Sequence, residues 1–392
     1  MRDAVIVDAV RSPMGKGKPG GALSGLHAVE LLAQTLSGLF TRVDVDPGQV
    51  DDVIVGCVSQ VGEQAAVSRY GWLAAGFPEH VPSVTIDRKC GSSQQAVHFA
   101  AQGVIAGTYD IAVAAGVESM SRIRMGSNRL DMDISGPSVN DRYAPGLVSQ
   151  GVAAELVAAR WKLSREQLDA LSAESHSRAH ECATAGEFAR EIVPITTPDG
   201  TVVTVDESIR PGTTVEKLAG LKPAFEDPEL LARFPEIRWS VTAGNSSQIT
   251  DGASAILVMS AEKAAELGLR PRARIHAMSV LGDDPLMMLT APIPATERVL
   301  SRSGLAIDDI DHYEVNEAFA SVPLAWQAAF DVNPDKLNPR GGAIALGHPL
   351  GASGCRLMTT MLSALEDTGG RYGLQTMCEA GGMANATIIE RL

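Results

Sequence analysis

The sequence predicts a layered α/β fold made of two similar halves with an irregular stretch between them. Three observations carry this. Short apolar runs suited to buried strands alternate with segments of helical spacing at both ends of the chain. The order strand 51–55, turn and helix after Cys90, strand 110–116 recurs as strand 311–315, turn and helix after His348, strand 374–378, with nearly constant spacing and little residue identity. Between about Glu118 and Thr250 the alternation is lost, and Gly, Ser, Asn and Asp cluster at 126–146. A chain of 392 residues also exceeds one ordinary core.

Taken in order, Ala4-Val5-Ile6-Val7 reads as the first strand. The loop Gly15 to Gly21 carries Lys16 and Lys18 but lacks the Gly-Lys-Ser/Thr ending of a phosphate loop, so its lysines read as solvated charges. A helix follows through Glu30-Leu31-Leu32, then strand 51–55, a helix over 66–77, and the short strand Val84-Thr85-Ile86-Asp87. Arg88-Lys89 turns the chain, and from Gln95 the apolar residues Ala96, Val97, Phe99, Ala100, Val104 and Ile105 have helical spacing. Tyr109 to Gly116 is the next strand. Ser164 with Gln167 is a capping-box start for a helix through Cys182. The turn Pro198-Asp199-Gly200 predicts a hairpin over 192–205. Arg210, Lys217 and Lys222 share one polar segment, which reads as a solvated face or as a compact cationic patch. Ser240 to Gly252 is small and polar, a loop able to lie close to a ligand. Ser260 caps a helix that stops at Gly268. Strand 311–315 runs into Asn316-Glu317-Ala318-Phe319-Ala320, and a helix passes Trp326. The glycine-rich stretch Gly341 to His348 precedes a helix near Cys355, and strands 374–378 and 386–389 close the chain.

Composition excludes several classes. Apolar residues make up 45% and charged residues 20%, which is globular. Aromatics at 4% give no base-stacking platform, and a net charge of −14 with pI near 5.0 opposes bulk attraction to nucleic acid or anionic membrane. Five cysteines, an odd number with no CxxC pair, suggest neither a disulfide framework nor a zinc site. A reducing, cytoplasmic setting is expected. Met1 leads at once into a strand, so no signal peptide is expected, and no apolar run reaches the ~18 residues of a membrane span.

The chemistry collects at element ends. Cys90 falls where a strand hands over to a helix, where unpaired N–H groups and the positive dipole end favour a thiolate. By itself it reads sooner as a small buried cysteine than as a nucleophile. His348, fixed between Gly347 and Pro349, is the best available base, though alone it reads as a turn residue. Cys378 closes a strand before Glu379-Ala380-Gly381-Gly382, a run able to offer N–H groups to an oxyanion. Asn316 sits just past a strand end, where sites in such folds gather.

These residues carry a resemblance. The chain resembles the thiolase family across nearly its full length, in Asp87-Arg88-Lys89-Cys90-Gly91-Ser92-Ser93, Val117-Glu118-Ser119-Met120-Ser121, Thr242-Ala243-Gly244-Asn245-Ser246-Ser247, Asn316-Glu317-Ala318-Phe319-Ala320, the stretch from Gly341 through His348-Pro349 to Gly354, and Cys378. The resemblance implies duplicated βαβαβαββ halves forming a five-layered α-β-α-β-α core with an inserted loop domain. The halves would span 1–118, completed by about 250–270, and 271–392; the inserted, coenzyme A-binding domain would span 119–249. By matching position, Cys90 is the acylated nucleophile, His348 takes its proton and then helps hold the thioester oxygen, and Cys378 moves the proton at the substrate α-carbon. Asn316 orders a water in one oxyanion hole, and the N–H groups of Cys90 and Ala380 form a second. Arg210 and Lys217 would face the nucleotide end of coenzyme A. Phe225, Ala243 and Ser247 would line its adenine and pantetheine path, and Ala318 and Phe319 its reactive end.

The implied activity is thiolytic cleavage of 3-oxoacyl-CoA through a Cys90 acyl-enzyme. Coenzyme A is a substrate, with no permanently bound cofactor and no metal, and the family forms homodimers or dimers of dimers. Condensation of two acetyl-CoA molecules is the alternative within the class. A non-catalytic acyl-CoA or lipid carrier, or a Cys/His/Asn hydrolase, are alternatives outside it; the first has no need of Cys90, His348 and Cys378 together, and the second gives Cys378 no role. Two departures stand out. Many members carry His-Met-Gly before the Ala-Glu at 154–155, whereas this chain has Ser149-Gln150-Gly151, which argues against strict short-chain biosynthetic specificity. Ala380 replaces a usual glycine, and a positive φ there would be strained.

Overall fold

The computed structural model describes residues 2–392. One continuous sheet runs through it. Its longer strands are β1 (Ala4–Arg11), β2 (Asp52–Gly56), β3 (Ser83–Ile86), β4 (Ile111–Ser119), β5 (Thr250–Ser260), β6 (Ala273–Gly282), β7 (His312–Val315), β8 (Tyr372–Glu379) and β9 (Met383–Arg391), and a two-residue strand, Gly15–Lys16, pairs with β5 off the main order. Their order is β7-β8-β9-β6-β1-β5-β4-β2-β3. Each half has a parallel pair beside an antiparallel run: β2 is parallel to β4 and β7 to β8, while β5 is antiparallel to β4 and β9 to β8. Within the sheet the halves join where Val5 faces Arg274 and Ile6 faces Ala273.

Eight longer helices complete the layers: α1 (Ala28–Phe40), α2 (Val67–Ala74), α3 (Ser92–Ala106), α4 (Gln150–Arg160), α5 (Arg165–Ala185), α6 (Pro292–Ser303), α7 (Ser321–Phe330) and α8 (Ser353–Thr368). α3 and α8 pack on each other and on strands of both halves, so they form the middle layer. Ala96, Val97, Ala100 and Val104 of α3 meet Met358, Met361 and Leu362 of α8 in one buried cluster with Ile6, Ile256 and Ile389. α1 and α2 cover the outer face of the first half, around Leu32, Leu36 and Trp72. α6 and α7 cover that of the second, around Val299, Trp326 and Tyr313. The five expected layers are therefore present. β5 lies between β1 and β4, which is why the first half needs residues near 250–260 to close.

The elements read from the sequence recur within a few residues, including the Ser164–Gln167 capping box on α5 and the Ser260 cap. The hairpin at 192–205 shrinks to paired Ile195–Thr196 and Val202–Val203. The polar loop from Ser240 ends earlier than expected, because Thr250 already begins β5, fully buried over its eleven residues. Three elements had no counterpart in the sequence reading: β6, α6 and α4. β6 alternates buried and half-buried residues without a clean period of two, and α4 is buried on nearly all sides, so neither carries a simple periodic signal. No helix among the described residues is long and apolar enough to cross a membrane.

Candidate active site

Two glycines bring the two turns together. Gly354, at the start of α8, sits so close to α3 that a Cβ there would lie 2.1 Å from the Gln94 nitrogen. Cys355 N–H donates to Ser93 Oγ at 3.0 Å. The N-termini of α3 and α8 are thus pinned side by side. β8 is tied to both: Gln375 Nε2 donates to the Gly354 carbonyl at 2.8 Å, and Gln94 Nε2 donates to the Gln375 carbonyl at 3.3 Å. Gly347 supplies the bend before His348, with φ 93 and ψ 169, a conformation open essentially to glycine alone.

Cys90 lies in the turn between β3 and α3. It packs in one buried cluster with Met120, Leu350 and Met377. Leu350 is two residues past His348 and Met377 immediately precedes Cys378, so the three chemical segments converge. The charges of Cys90 and Cys378 are close enough to oppose each other. Asn316 completes the group: its Nδ2 donates to His348 Nε2 at 3.4 Å. The Asn316 Oδ1 is buried with no hydrogen-bond partner, an unused acceptor.

The His348 ring is fixed from behind. Its Nδ1 lies 2.6 Å from Ser353 Oγ, and that hydroxyl donates to the Pro349 carbonyl at 2.8 Å. With the hydroxyl proton committed, Nδ1–H is the donor and Nε2 keeps its lone pair, the arrangement a base requires. The His348 backbone N–H donates to the Gln248 carbonyl and to Thr250 Oγ1, each at 3.1 Å. Two buried carboxylates brace the neighbourhood. Glu118 accepts from the N–H groups of Val58, Ser59 and Gly351 at 2.9, 3.0 and 2.9 Å. Glu317 accepts from Ser175 Oγ at 2.7 Å and from Ile344 N–H at 3.1 Å.

The expectation of a resting thiolate fails. Burial pushes the Cys90 thiol up to about 12, with Glu379 adding to it; a Gln150 side-chain hydrogen bond and the local N–H oppose this and lose. Cys378 is raised well above the ordinary thiol range by burial, Cys90 and Glu379. Burial, helped by Arg356, holds His348 down at about 3. The free site holds a neutral thiol and a neutral imidazole. Charge appears in it only when a substrate carbonyl arrives to take it, so proton transfer and attack must be coupled.

The anticipated strain at Ala380 is also absent. Positive φ falls on Gly381 and Gly382, at 92 and 78, while Ala380 is not among the positive-φ residues. Its N–H can serve as a donor without backbone cost.

Of the residues expected along the coenzyme A path, some are packed together and others lie at the surface. Phe225 stacks edge-on against Phe319, ring centroids 6.0 Å apart, and presses on Gly151, where a Cβ would lie 2.3 Å from its ring. Gly151 adjoins Gln150, the residue against Cys90. Ser247 N–H donates to the Ala318 carbonyl at 3.0 Å, and Ser246 bridges Phe319. Ala318 and Phe319 are buried and Ala243 is exposed. Arg210 and Lys217 lie at the surface: Arg210 Nη2 donates to Gln248 Oε1 at 2.8 Å and Lys217 Nζ to the Gly212 carbonyl at 2.5 Å. Gln248 joins Arg210 to the His348 turn, because its Nε2 also donates to the Ile344 and Ala345 carbonyls.

The sequence reading gave no role to Ser353, Gln248 or Gln150. Ser353 had the clearest available signal, since it lies five residues after His348 at the start of a helix. Gln150 appeared only as a departure from pattern.

Comparison with known proteins follows the same lines. The family described as thiolase, N-terminal domain, matches residues 4–262, and thiolase, C-terminal domain, matches residues 269–391. The chain is 50% identical over 401 residues to the steroid 3-ketoacyl-CoA thiolase FadA6 of Mycobacterium tuberculosis, covering 100% of this chain and 95% of the relative. It is 45% identical over 401 residues to the 3-ketoacyl-CoA thiolase of Idiomarina loihiensis, covering 100% of both. A crystal structure of the acetyl-CoA acetyltransferase of Bacillus anthracis superposes with a TM-score of 0.89 at 37% identity, covering 100% of this chain and 99% of that one.

Proposed function

The chain belongs to the thiolase family, and from that premise we propose how it carries out acyl-CoA C-acyl transfer and on what. The reaction is thiolytic cleavage of a 3-oxoacyl-CoA. The observation that supports this best is that Cys90 faces Cys378 and packs on Leu350, two residues past a His348 ring held against Asn316.

Cys90 Sγ attacks the 3-oxo carbonyl as its proton passes to His348 Nε2. The bond between C2 and C3 breaks, leaving the acyl group on Cys90 and the enolate of acetyl-CoA. Cys378 S–H gives its proton to C2. Coenzyme A then enters, its thiol proton passes to the Cys378 thiolate, and its sulfur attacks the Cys90 thioester. Cys90 leaves and takes its proton back from His348. A water on Asn316 with His348 forms one oxyanion site, for which the unused Oδ1 is suited. The N–H groups of Cys90 and Ala380 form the other. Donors fixed in a dry site are worth ~10²–10³ in rate apiece.

The coenzyme A track runs along Phe225, Ala243, Ser247, Ala318 and Phe319, with Arg210 and Lys217 at its nucleotide end. The substrate class is medium or bulkier acyl chains, ring-derived ones included. Ser149-Gln150 at the acyl end and the name of the mycobacterial relative favour this. Condensation of two acetyl-CoA molecules is the second reading, favoured by the acetyl-CoA acetyltransferase fold match. Rates of thiolysis across acyl-chain length separate the two, acetoacetyl-CoA included: a maximum at acetoacetyl-CoA selects condensation. We assign a cytoplasmic homodimer or dimer of dimers. It is supported by Val84 exposed on the edge strand β3 and by Met125, Leu130, Met132 and Ile134 exposed in the inserted loop.

The direct test is intact-protein mass after incubation with acetyl-CoA. An acetyl adduct is expected in the wild type and lost in Cys90→Ser. An adduct unchanged in that variant overturns the nucleophile assignment.

A further inference from the structure

One buried acid in this site has no part in the reaction as written. Glu379 is the last residue of β8, immediately after Cys378, and it is fully buried. Both carboxyl oxygens lack a hydrogen-bond partner. Its position against the nucleophile turn is tight: a Cβ on Gly91 would lie 1.9 Å from Glu379 Oε1 and 2.8 Å from its Cδ. Only glycine after Cys90 leaves room for this carboxyl.

The groups facing it come from three elements. The turn before α3 contributes Asp87, Arg88 and Cys90, β8 contributes Cys378, and β9 contributes the Asn385 backbone N–H. Arg88 does not clasp Glu379; its Nη1 points to Met383 Sδ at 3.8 Å. Lys89 is occupied by Asp87, with Nζ 2.6 Å from Oδ2. A buried carboxylate with no side-chain donor is strongly disfavoured, and the group keeps its proton instead. Burial pushes the Glu379 carboxyl well above the usual range; Arg88 and the Asn385 backbone N–H oppose this, Asp87 adds to it, and burial prevails.

We propose that Glu379 is a positioning residue held as a neutral acid against the nucleophile turn, and that its ionisation suppresses both reactive sulfurs. Neutral, it adds no charge while one sulfur at a time becomes a thiolate. Ionised, it places a fixed negative charge beside both thiols and raises each. No proton leaves it during turnover. An apolar side chain would fill the same volume without this alkaline limit. The proposal rests on Cys90 as the nucleophile, which the acetyl-adduct measurement tests separately.

The experiment is the rate of Cys90 carbamidomethylation by iodoacetamide in the full-length protein, read by peptide mass from about pH 6 to about pH 10. Wild type is compared with Glu379→Gln, which keeps the shape and cannot ionise, and with Glu379→Met, an apolar filling. In the lower part of the range the profiles should coincide. On the alkaline limb the wild type should fall behind both variants by about tenfold, the change that one unit of thiol pKa produces. Either variant suffices if the other fails to fold. Superimposed profiles across the range overturn the proposal. A constant offset at every pH overturns it too, because it would mean that Glu379 is an ordinary carboxylate. Loss of the acetyl adduct assignment at Cys90 would instead remove the premise.

Discussion

Ser353→Ala isolates the hydroxyl that fixes the tautomer of His348. In the wild type Ser353 Oγ accepts from Nδ1–H at 2.6 Å and donates a hydrogen bond to the Pro349 carbonyl at 2.8 Å. Alanine removes both bonds within a site that has no exposed surface at that residue. A buried donor left unpaired costs ~1–3 kcal/mol. The cost is larger in the transition state than in the ground state, because the imidazole gains positive charge there and the Nδ1–H bond becomes charge-assisted. At ~1.4 kcal/mol per factor of ten, kcat/KM for thiolysis should fall by about 10–100-fold. Global stability should change little: for a chain of this size ~1 kcal/mol moves the melting midpoint by only about 1–2 °C. The assay is 3-oxoacyl-CoA cleavage at subsaturating substrate, alongside a thermal melt. A variant within about twofold of wild-type kcat/KM would refute the argument that this hydroxyl holds the base in its working form.

Cys378→Ala should separate the two halves of the reaction: acetylation of Cys90 by acetyl-CoA survives in large part, while carbon–carbon cleavage falls by at least about 10²-fold. Equal loss of both steps would count against a distinct role for the second sulfur. His98 gives a pH prediction at a site away from the chemistry. It is buried on α3, with Nε2 2.7 Å from Thr387 Oγ1, and burial with Arg88 nearby lowers it from 6.5 to about 3. The unfolded chain therefore takes a proton on His98 below ~6.5 and the folded chain does not, so folding loses stability as the pH falls through that window. Relative to His98→Gln, the wild type should lose ~1.4 kcal/mol per pH unit between about pH 6 and about pH 4, and nothing above ~6.5. Urea unfolding of both proteins at two pH values measures the difference, and a gap independent of pH would contradict it.

The parts of this protein legible from sequence are those written in contiguous residues. β1, β2, β4, α3 and α5 announce themselves by apolar runs, spacing and caps, and the recurrence of strand, turn and helix gave the duplication before any coordinates. α4 and β6 did not: α4 is buried on nearly all sides, and β6 is half-buried without a clean period of two. α6 was missed although it has a sided pattern, burying Ala295, Thr296 and Val299 and exposing Glu297, Arg298 and Ser301.

The site divides along the same line, and the reason is electrostatic. Cys90 at a helix start has a local signal that points to a thiolate, and that inference used only neighbours in sequence. What decides the matter comes from far away along the chain: Glu379 lies 289 positions beyond Cys90, yet its carboxyl sits against Gly91. A helix terminus acts from one side with ~0.5 of a charge. Burial acts from every side on the whole charge, so it wins for Cys90, Cys378 and His348 alike. The consequence is a resting site with no ion pair to desolvate when substrate binds. The thiol, the imidazole and the second thiol wait neutral, and the carbonyl oxygen is where the first charge develops. At the proposed oxyanion sites, one at Asn316 and His348 and the other at the N–H groups of Cys90 and Ala380, donors should contribute more to rate than any group that merely lowers the thiol pKa.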